Sequence, residues 1–384
     1  MAGIYIHIPF CRQACIYCNF HFSTSPSQKT ILIDAINREI SITEIYNEPE
    51  KTINTIYFGG GTPSMIDERD LNSIFNSIHK KFPVANDAEI TLEANPDNIN
   101  PFSLSSWKQM GINRLSVGIQ SFIDEELKWM NRAHTAAESM KCLDDIVHAG
   151  IQNYSVDLIY GSPLLSNDDF KNNVEIILNK NIPHVSCYAL TVESKTVLAE
   201  MIRQKKTWVD ENKQAEQFLL LMQWMGSGGY EQYEISNFSK PMMRSRHNSN
   251  YWHGVPYYGI GPSAHSFDGK NMRRWNVANN SLYVQSLNND LIPFTEEQLT
   301  KTQQQNEYTM ISLRTIEGLD LTRATDNFGK NFKNGIWKEC MKHVTAGNIQ
   351  MNNNILTLTP KGKLMADGIA ADLFSNEFND VVKV

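Results

Sequence analysis

Along the first 190 residues, short apolar runs alternate with stretches whose apolar positions recur every three to four residues, the pattern of strands followed by amphipathic helices. Residues 4–8 predict the first strand, and residues 31–45, with Ile36 and Ile40 on one face, predict the first helix. Further strands are expected at 55–58, 89–93, 114–118, 154–159 and 185–190. Helices are expected from an N-cap at Asp67 to about residue 81, then at 101–110, 136–149 and 168–178. Strict alternation of strand and helix implies a parallel sheet with crossover helices. Six units fall short of the eight that close a barrel. The predicted fold is therefore α/β, an open six-stranded (β/α)6 partial TIM barrel.

In such barrels chemistry gathers at the C-terminal ends of the strands, and the unusual polar residues of this chain fall there. A cysteine-rich loop follows the first strand and Gly59-Gly60-Gly61-Thr62-Pro63 follows the second. Glu93 ends the third, Gln120 follows the fourth, Asp157 lies late in the fifth, and Tyr188, Thr191 and Glu193 close the sixth. Beyond the barrel, 203–225 predicts a helix with Phe218, Leu219, Met222 and Met225 on one side. From Glu296 onward a compact helical unit is expected, with a wing at 355–358 and a last helix at 360–374. This divides the chain into a core at 1–235, a connector at 236–295 and a small C-terminal helical, winged-helix-like domain at 296–384.

Composition narrows the classes of function. The 384 residues are 41% hydrophobic with a net charge of −7, and no apolar run is long enough to span a bilayer. The first residues show no charged region followed by an apolar one, so no secretory signal is expected and the location is expected to be cytoplasmic. Loose peripheral attachment to a membrane stays open. From Glu296 to the end there are ten Lys/Arg against eleven Asp/Glu, so the winged unit has no basic face for nucleic acid. Cys142, Cys187 and Cys340 stand alone and far apart, as in a reducing compartment.

The remaining cysteines carry the chemistry. Cys11, Cys15 and Cys18 have the spacing C-x3-C-x2-C, with no fourth cysteine beside them. A cubane iron–sulfur cluster takes four ligands, one per iron. Three thiolates leave one iron open to a small molecule. This resembles the radical S-adenosylmethionine (SAM) enzymes, whose unique iron is chelated by the amino and carboxylate groups of SAM. The bland competitor is a structural Cys3His zinc site with His21 as fourth ligand. On the [4Fe-4S] reading, the triple glycine offers close backbone approach and exposed amides to the amino-acid moiety of SAM. Glu93 would accept from the SAM amino group or ribose, while Gln120, Arg132 and Asp157 would hold carboxylate and hydroxyls. Tyr5 either touches the cofactor or fills the barrel, and Tyr17 and Phe20 shield the cluster.

The stretches Tyr5-Ile6-His7-Ile8-Pro9-Phe10-Cys11, Gly59–Pro63, Asn95-Pro96, Gly118-Ile119-Gln120-Ser121-Phe122 and Asp157-Leu158-Ile159-Tyr160-Gly161 resemble oxygen-independent coproporphyrinogen III oxidases over nearly the whole chain. The resemblance implies SAM contacts at Tyr5, Gly60, Gly61, Thr62, Glu93, Gln120, Arg132 and Asp157. Two departures are informative. Phe20 stands where the oxidases carry a further cysteine, and the chain has only ten residues before Cys11. Both features are similar to the heme-chaperone branch, HemW. That branch carries an H-N-x-x-Y-W motif associated with heme, matched here by His247, Asn248, Tyr251 and Trp252. Imidazole is the commonest protein ligand of heme iron, and Tyr and Trp pack flat on a macrocycle. His247 is the candidate ligand and His265 its rival.

Delivery of heme to an apo-hemoprotein acceptor is implied by the resemblance alone. Two alternatives are radical SAM decarboxylation of coproporphyrinogen III and another radical reaction on heme, such as methylation. No catalytic residue stands out.

Overall fold

The computed structural model describes residues 2–44 and 52–375. Six parallel strands pair in chain order: β1 (Ala2–Ile8), β2 (Ile53–Gly60), β3 (Val84–Ala94), β4 (Arg114–Gln120), β5 (Tyr154–Tyr160) and β6 (His184–Ala189). Alternation in β1 sets the two faces of the sheet. Ile4, Ile6 and Ile8 are fully buried in the apolar core, while Tyr5 and His7 between them face a cavity. Helices Lys29–Ile42, Glu68–Lys81, Pro101–Gln109, Ala136–His148 and Asn167–Asn179 follow the first five strands. The expected end of the first helix, at Ile45, lies outside the described residues.

The helix starts are written in the sequence. Asn100 accepts from the amides of Phe102 and Ser103, both at 3.0 Å, and Thr135 with Glu138 forms a reciprocal capping box. Each such cap is worth about 1 kcal/mol. Asp67 does occupy the N-cap of its helix, but its carboxylate pairs with Lys29 at 2.8 Å instead of capping.

The sheet does not stop at six strands. On β6 lie two antiparallel strands, β7 (Glu231–Glu234) and β8 (Asn237–Ser239). On β1 lies β9 (Tyr257–Ile260), parallel, followed by β10 (His265–Phe267), β11 (Met272–Asn276) and β12 (Phe294–Gln298), all antiparallel. Both edges of the open barrel are thereby covered, which removes unpaired backbone from solvent. Strands of three to five residues carry too little alternation to be read from sequence.

Three helices differ from expectation. Asp124–Trp129 is an additional short helix. The stretch expected at 203–225 breaks into Val197–Arg203 and Glu211–Ser227, because Lys205 turns left-handed (φ 57°) and Asp210 caps a new start. Its buried stripe is Gln217, Phe218, Leu221 and Met225, with Leu219 exposed. The last helix is likewise split, into Pro360–Lys363 and Ala366–Asp372.

The C-terminal unit packs Lys301–Leu313, Leu321–Phe328 and Lys330–Thr345 against a small sheet of β13 (Leu319–Asp320), β14 (Ile349–Asn352) and β15 (Ile355–Leu358). The wing turns through Asn353 and Asn354, both at positive φ, as a two-residue hairpin requires. Its core, including Leu319, Leu321, Ile336 and Leu356, is separate from that of the barrel.

Candidate functional site

The cysteine loop is pinned on both sides. Cys11 N–H donates to Ser23 O (3.0 Å) and Ser23 N–H to Pro9 O (2.7 Å), so the loop folds back on the end of β1. Across the barrel mouth, Asn131 Nδ2 donates to Ala14 O (2.6 Å) and Ile16 N–H to Met130 O (3.2 Å). This holds Cys11, Cys15 and Cys18 in the wall of one cavity of about 390 Å³.

Arg132 binds the loop to the barrel. Its Nη2 donates to Asn95 Oδ1 (2.7 Å) and Gly118 O (2.6 Å), and its Nη1 reaches Cys15 Sγ at 3.3 Å. Burial pushes the Cys11 thiol up to about 11, against a hydrogen bond from Thr62, and raises Cys18 as well. Positive charge favours the thiolate form of such thiols, and iron held there would supply it. Among the described residues no three His, Cys, Asp or Glu side chains are grouped around a single metal ion. A cubane instead places each thiolate on its own iron, and the donor set of three thiols on one loop fits it. His21 does not complete a zinc site: its Nε2 is bonded to Asn280 Oδ1 at 2.7 Å, and it faces a different cavity.

Gly60, Gly61, Thr62, Glu93, Gln120, Arg132 and Asp157 all line the cysteine cavity. The amides of the glycine run, however, are used within the fold. Gly60 N–H donates to Glu93 Oε2 (3.2 Å), Gly61 N–H to Ile8 O (2.9 Å) and Thr62 N–H to Phe10 O (2.7 Å). Gly61 is glycine because the start of the cysteine loop crosses it: a Cβ there would lie 2.7 Å from Phe10 O, while Gly59 and Gly60 are crowded by Tyr5, Tyr57 and His7. Gly61→Ala is therefore expected to push Cys11 out of place and to cut the iron content of the purified protein severalfold, with helical content unchanged by circular dichroism. Gln120 stands at φ 70°, where the β4–β5 register slips after Val117; a bulge there turns its side chain into the cavity.

Two carboxyls face each other in this cavity. Burial raises Glu93 to about 7, against donors from Tyr57 OH (2.8 Å) and Gly60 N–H, with Asp157 pushing it further up. Burial also raises Asp157 to about 6, opposed by a hydrogen bond from Ser186. Between the ordinary carboxyl values near 4 and these folded values, the folded state binds more protons than the unfolded one, so this contribution to stability falls as pH rises. Wild type, free of cluster, is expected to lose about 2 kcal/mol relative to Glu93→Gln between pH 4.5 and pH 8. Parallel denaturation series check this, and a difference independent of pH would contradict it.

A second, larger cavity of about 750 Å³ opens between the β1–β9–β10 side of the barrel and the C-terminal unit. Tyr5 lies here and not in the cysteine cavity; its hydroxyl meets His7 Nδ1 at 3.2 Å. Phe20 borders both cavities and is 67% exposed. Tyr251 and Trp252 line the second cavity, whereas His247, on the same helix Arg246–Trp252, does not. His247 is buried, with Nδ1 bonded to Thr55 Oγ1 and Nε2 to Tyr251 OH, both at 2.8 Å. Burial lowers it to about 3, so it is neutral.

Sequence reading missed several residues of these walls. Asn95 orients Arg132, and His7, Lys270 and Arg323 line the second cavity. For His7 the signal was present, because alternation in β1 puts it on the same face as Tyr5.

An open parallel barrel with three cysteines after its first strand defines the radical SAM class, and residues 5–177 match the model of the Radical SAM superfamily. That class implies a [4Fe-4S] cluster and SAM. The chain is 31% identical to the heme chaperone HemW of Bacillus subtilis, over 96% of this chain and 98% of that relative. It is 33% identical to HemW of Synechocystis, over 82% and 78%, and 30% identical to HemW of Mycobacterium tuberculosis, over 97% and 94%. The chain belongs to the HemW family of heme chaperones. Its fold matches coproporphyrinogen III oxidase (HemN) of Escherichia coli with a TM-score of 0.82 at 20% identity, over 97% of this chain and 90% of that one. At that identity the likeness is one of fold.

Proposed function

We propose that this protein binds heme and delivers it to acceptor hemoproteins. The observation that carries this reading is the second cavity. Its volume lies in the upper part of the 300–1,000 Å³ range typical of ligand sites, and Tyr251 and Trp252 present aromatic surface to it. Full-length similarity to proteins named as heme chaperones supports the same reading.

In this account Cys11, Cys15 and Cys18 hold the [4Fe-4S] cluster. SAM lies against Gly60, Gly61, Thr62, Glu93, Gln120, Arg132 and Asp157, with Tyr5 behind them toward the heme cavity. Bound there, the group would supply one-electron redox chemistry toward SAM, and these residues would orient the pair and exclude water. His247 acts by fixing Tyr251. The helix Arg246–Trp252 touches both cavities, Asn248 the first and Tyr251 the second, and so joins the two sites. The division into a core at 1–235, a connector at 236–295 and a C-terminal domain at 296–384 belongs to this proposal. So does a cytoplasmic location; among the described residues no helix is long and apolar enough to cross a membrane.

Anaerobic titration of the cluster-loaded protein with heme, followed in the Soret region, tests the site. Saturation near one heme per chain is expected, with at least tenfold weaker binding in the Tyr251→Ala, Trp252→Ala double variant. Unsaturable binding that ignores the variant would refute it.

A further inference from the structure

We infer that His265, and not His247, takes the iron of heme in the second cavity, and that Lys270 and Arg323 receive its propionates. The inference rests on heme binding there, as proposed above.

Iron ligation needs an imidazole nitrogen with a free lone pair and access to the cavity. Four histidines line the cavity: His7, His21, His253 and His265. His7 has both ring nitrogens engaged, Nδ1 with Tyr5 OH at 3.2 Å and Nε2 with His21 O at 2.9 Å. His21 has Nε2 on Asn280 and its ring lies against His7, 6.0 Å between centroids at 30°, which leaves only Nδ1, the nitrogen beside its own Cβ. His247 is outside the cavity with both nitrogens bonded. Among the described residues, His253 and His265 carry no ring hydrogen bond.

Position separates these two. His253 follows the last turn of the seven-residue helix Arg246–Trp252, and both it and His265 are exposed. His265 opens strand β10, and its ring stacks on Trp275 of β11, 6.1 Å between centroids at 27°. Its backbone crosses β9 so closely that a Cβ on Gly259 would collide with the His265 carbonyl. Gly259 N–H also donates to Ser266 Oγ at 2.8 Å. A ligand on a locked strand keeps its angle when the iron arrives and leaves.

The walls suit the rest of the macrocycle. Tyr251 meets Tyr257 edge to face at 4.7 Å, leaving aromatic surface along the cavity. Three cations line it, and among the described residues only Arg273 has an ion pair, with Glu307, while Arg323 lies over the Tyr308 ring at 5.9 Å. Lys270 and Arg323 have no carboxylate within ion-pair distance among the described residues. Cations without a carboxylate partner, beside a large cavity of mixed aromatic and polar lining, suit a flat apolar ligand that carries carboxylates.

The test uses the full chain with its cluster, hemin as probe, and absorption and electron paramagnetic resonance to read the iron's axial ligand. His265→Ala is expected to lose the histidine-ligated spectrum and to bind hemin at least tenfold more weakly. His247→Phe and His253→Ala are expected to keep the spectrum. Imidazole added to His265→Gly should restore it, which a misfolded variant would not allow. Lys270→Gln with Arg323→Gln should weaken hemin about tenfold but leave hemin dimethyl ester unaffected. A wild-type spectrum in His265→Ala, or its loss in His253→Ala alone, overturns the ligand assignment while heme binding stands. Equal loss with the ester overturns the propionate assignment. Failure of the wild type to saturate with hemin overturns the heme reading itself, and this inference with it.

Discussion

Replacing Cys15 by alanine is expected to abolish the iron–sulfur cluster. Iron and acid-labile sulfide should fall to background, and SAM binding should fall with them. On the proposed assignment the cluster would have three protein ligands, and C-x3-C-x2-C offers no fourth thiol to step in. Cys15 is also the thiol that Arg132 reaches, at 3.3 Å, so its loss leaves a buried guanidinium without that partner. Cys142→Ala is the control. That thiol is buried in the barrel core with its S–H on Ser139 O, and its loss should leave iron content unchanged. Iron retained at wild-type level in Cys15→Ala would mean that the loop does not hold the cluster as described.

The second large effect is on stability, at Glu39. This carboxylate is buried inside the seam between the first helix and the strands that cover β1. It accepts from Gly261 N–H (2.8 Å), Asn276 Nδ2 (2.7 Å) and Tyr283 OH. Burial raises it to about 7, with those three donors pulling the other way. Glu39→Ala removes the acceptor and strands three buried donors, at a cost of about 3–5 kcal/mol. That is a large share of the roughly 5–15 kcal/mol typical of a folded protein. Glu39→Gln keeps one carbonyl acceptor and should cost about 1–2 kcal/mol. Denaturant titration at pH 7 ranks the three proteins. An alanine variant within 1 kcal/mol of wild type would show that the seam is held by packing alone. Because the seam carries β9 and β10, the same variant should also weaken heme binding.

These residues show what the sequence makes visible and what it hides. The six parallel strands were legible because each is a concentrated apolar run followed by a helix, several of them with a side-chain cap, as at Asn100 and Thr135. The rim residues followed from strand ends alone. Their hydrogen bonds did not: only the folded chain shows that the amides of Gly60 and Gly61 go to Glu93 and Ile8. The strands β7 to β12 were hidden because they are short and stabilised by distant partners, such as Glu39 for Gly261, 222 residues apart. The helix Arg246–Trp252 is the most instructive case. A motif tells which residues occur together, but not which of them faces the ligand. Here Tyr251 and Trp252 face the cavity while His247 braces Tyr251 from behind.

The most direct test of the central claim is transfer. The heme-loaded, cluster-bearing protein is mixed anaerobically with an apo-hemoprotein, the two are separated, and heme is measured in each. The account predicts that heme moves to the acceptor faster than it dissociates into solution, as judged against a passive heme scavenger, and that the Tyr251→Ala, Trp252→Ala variant loses this advantage. Transfer no faster than free dissociation would contradict it, and would leave a radical SAM protein that binds heme without delivering it.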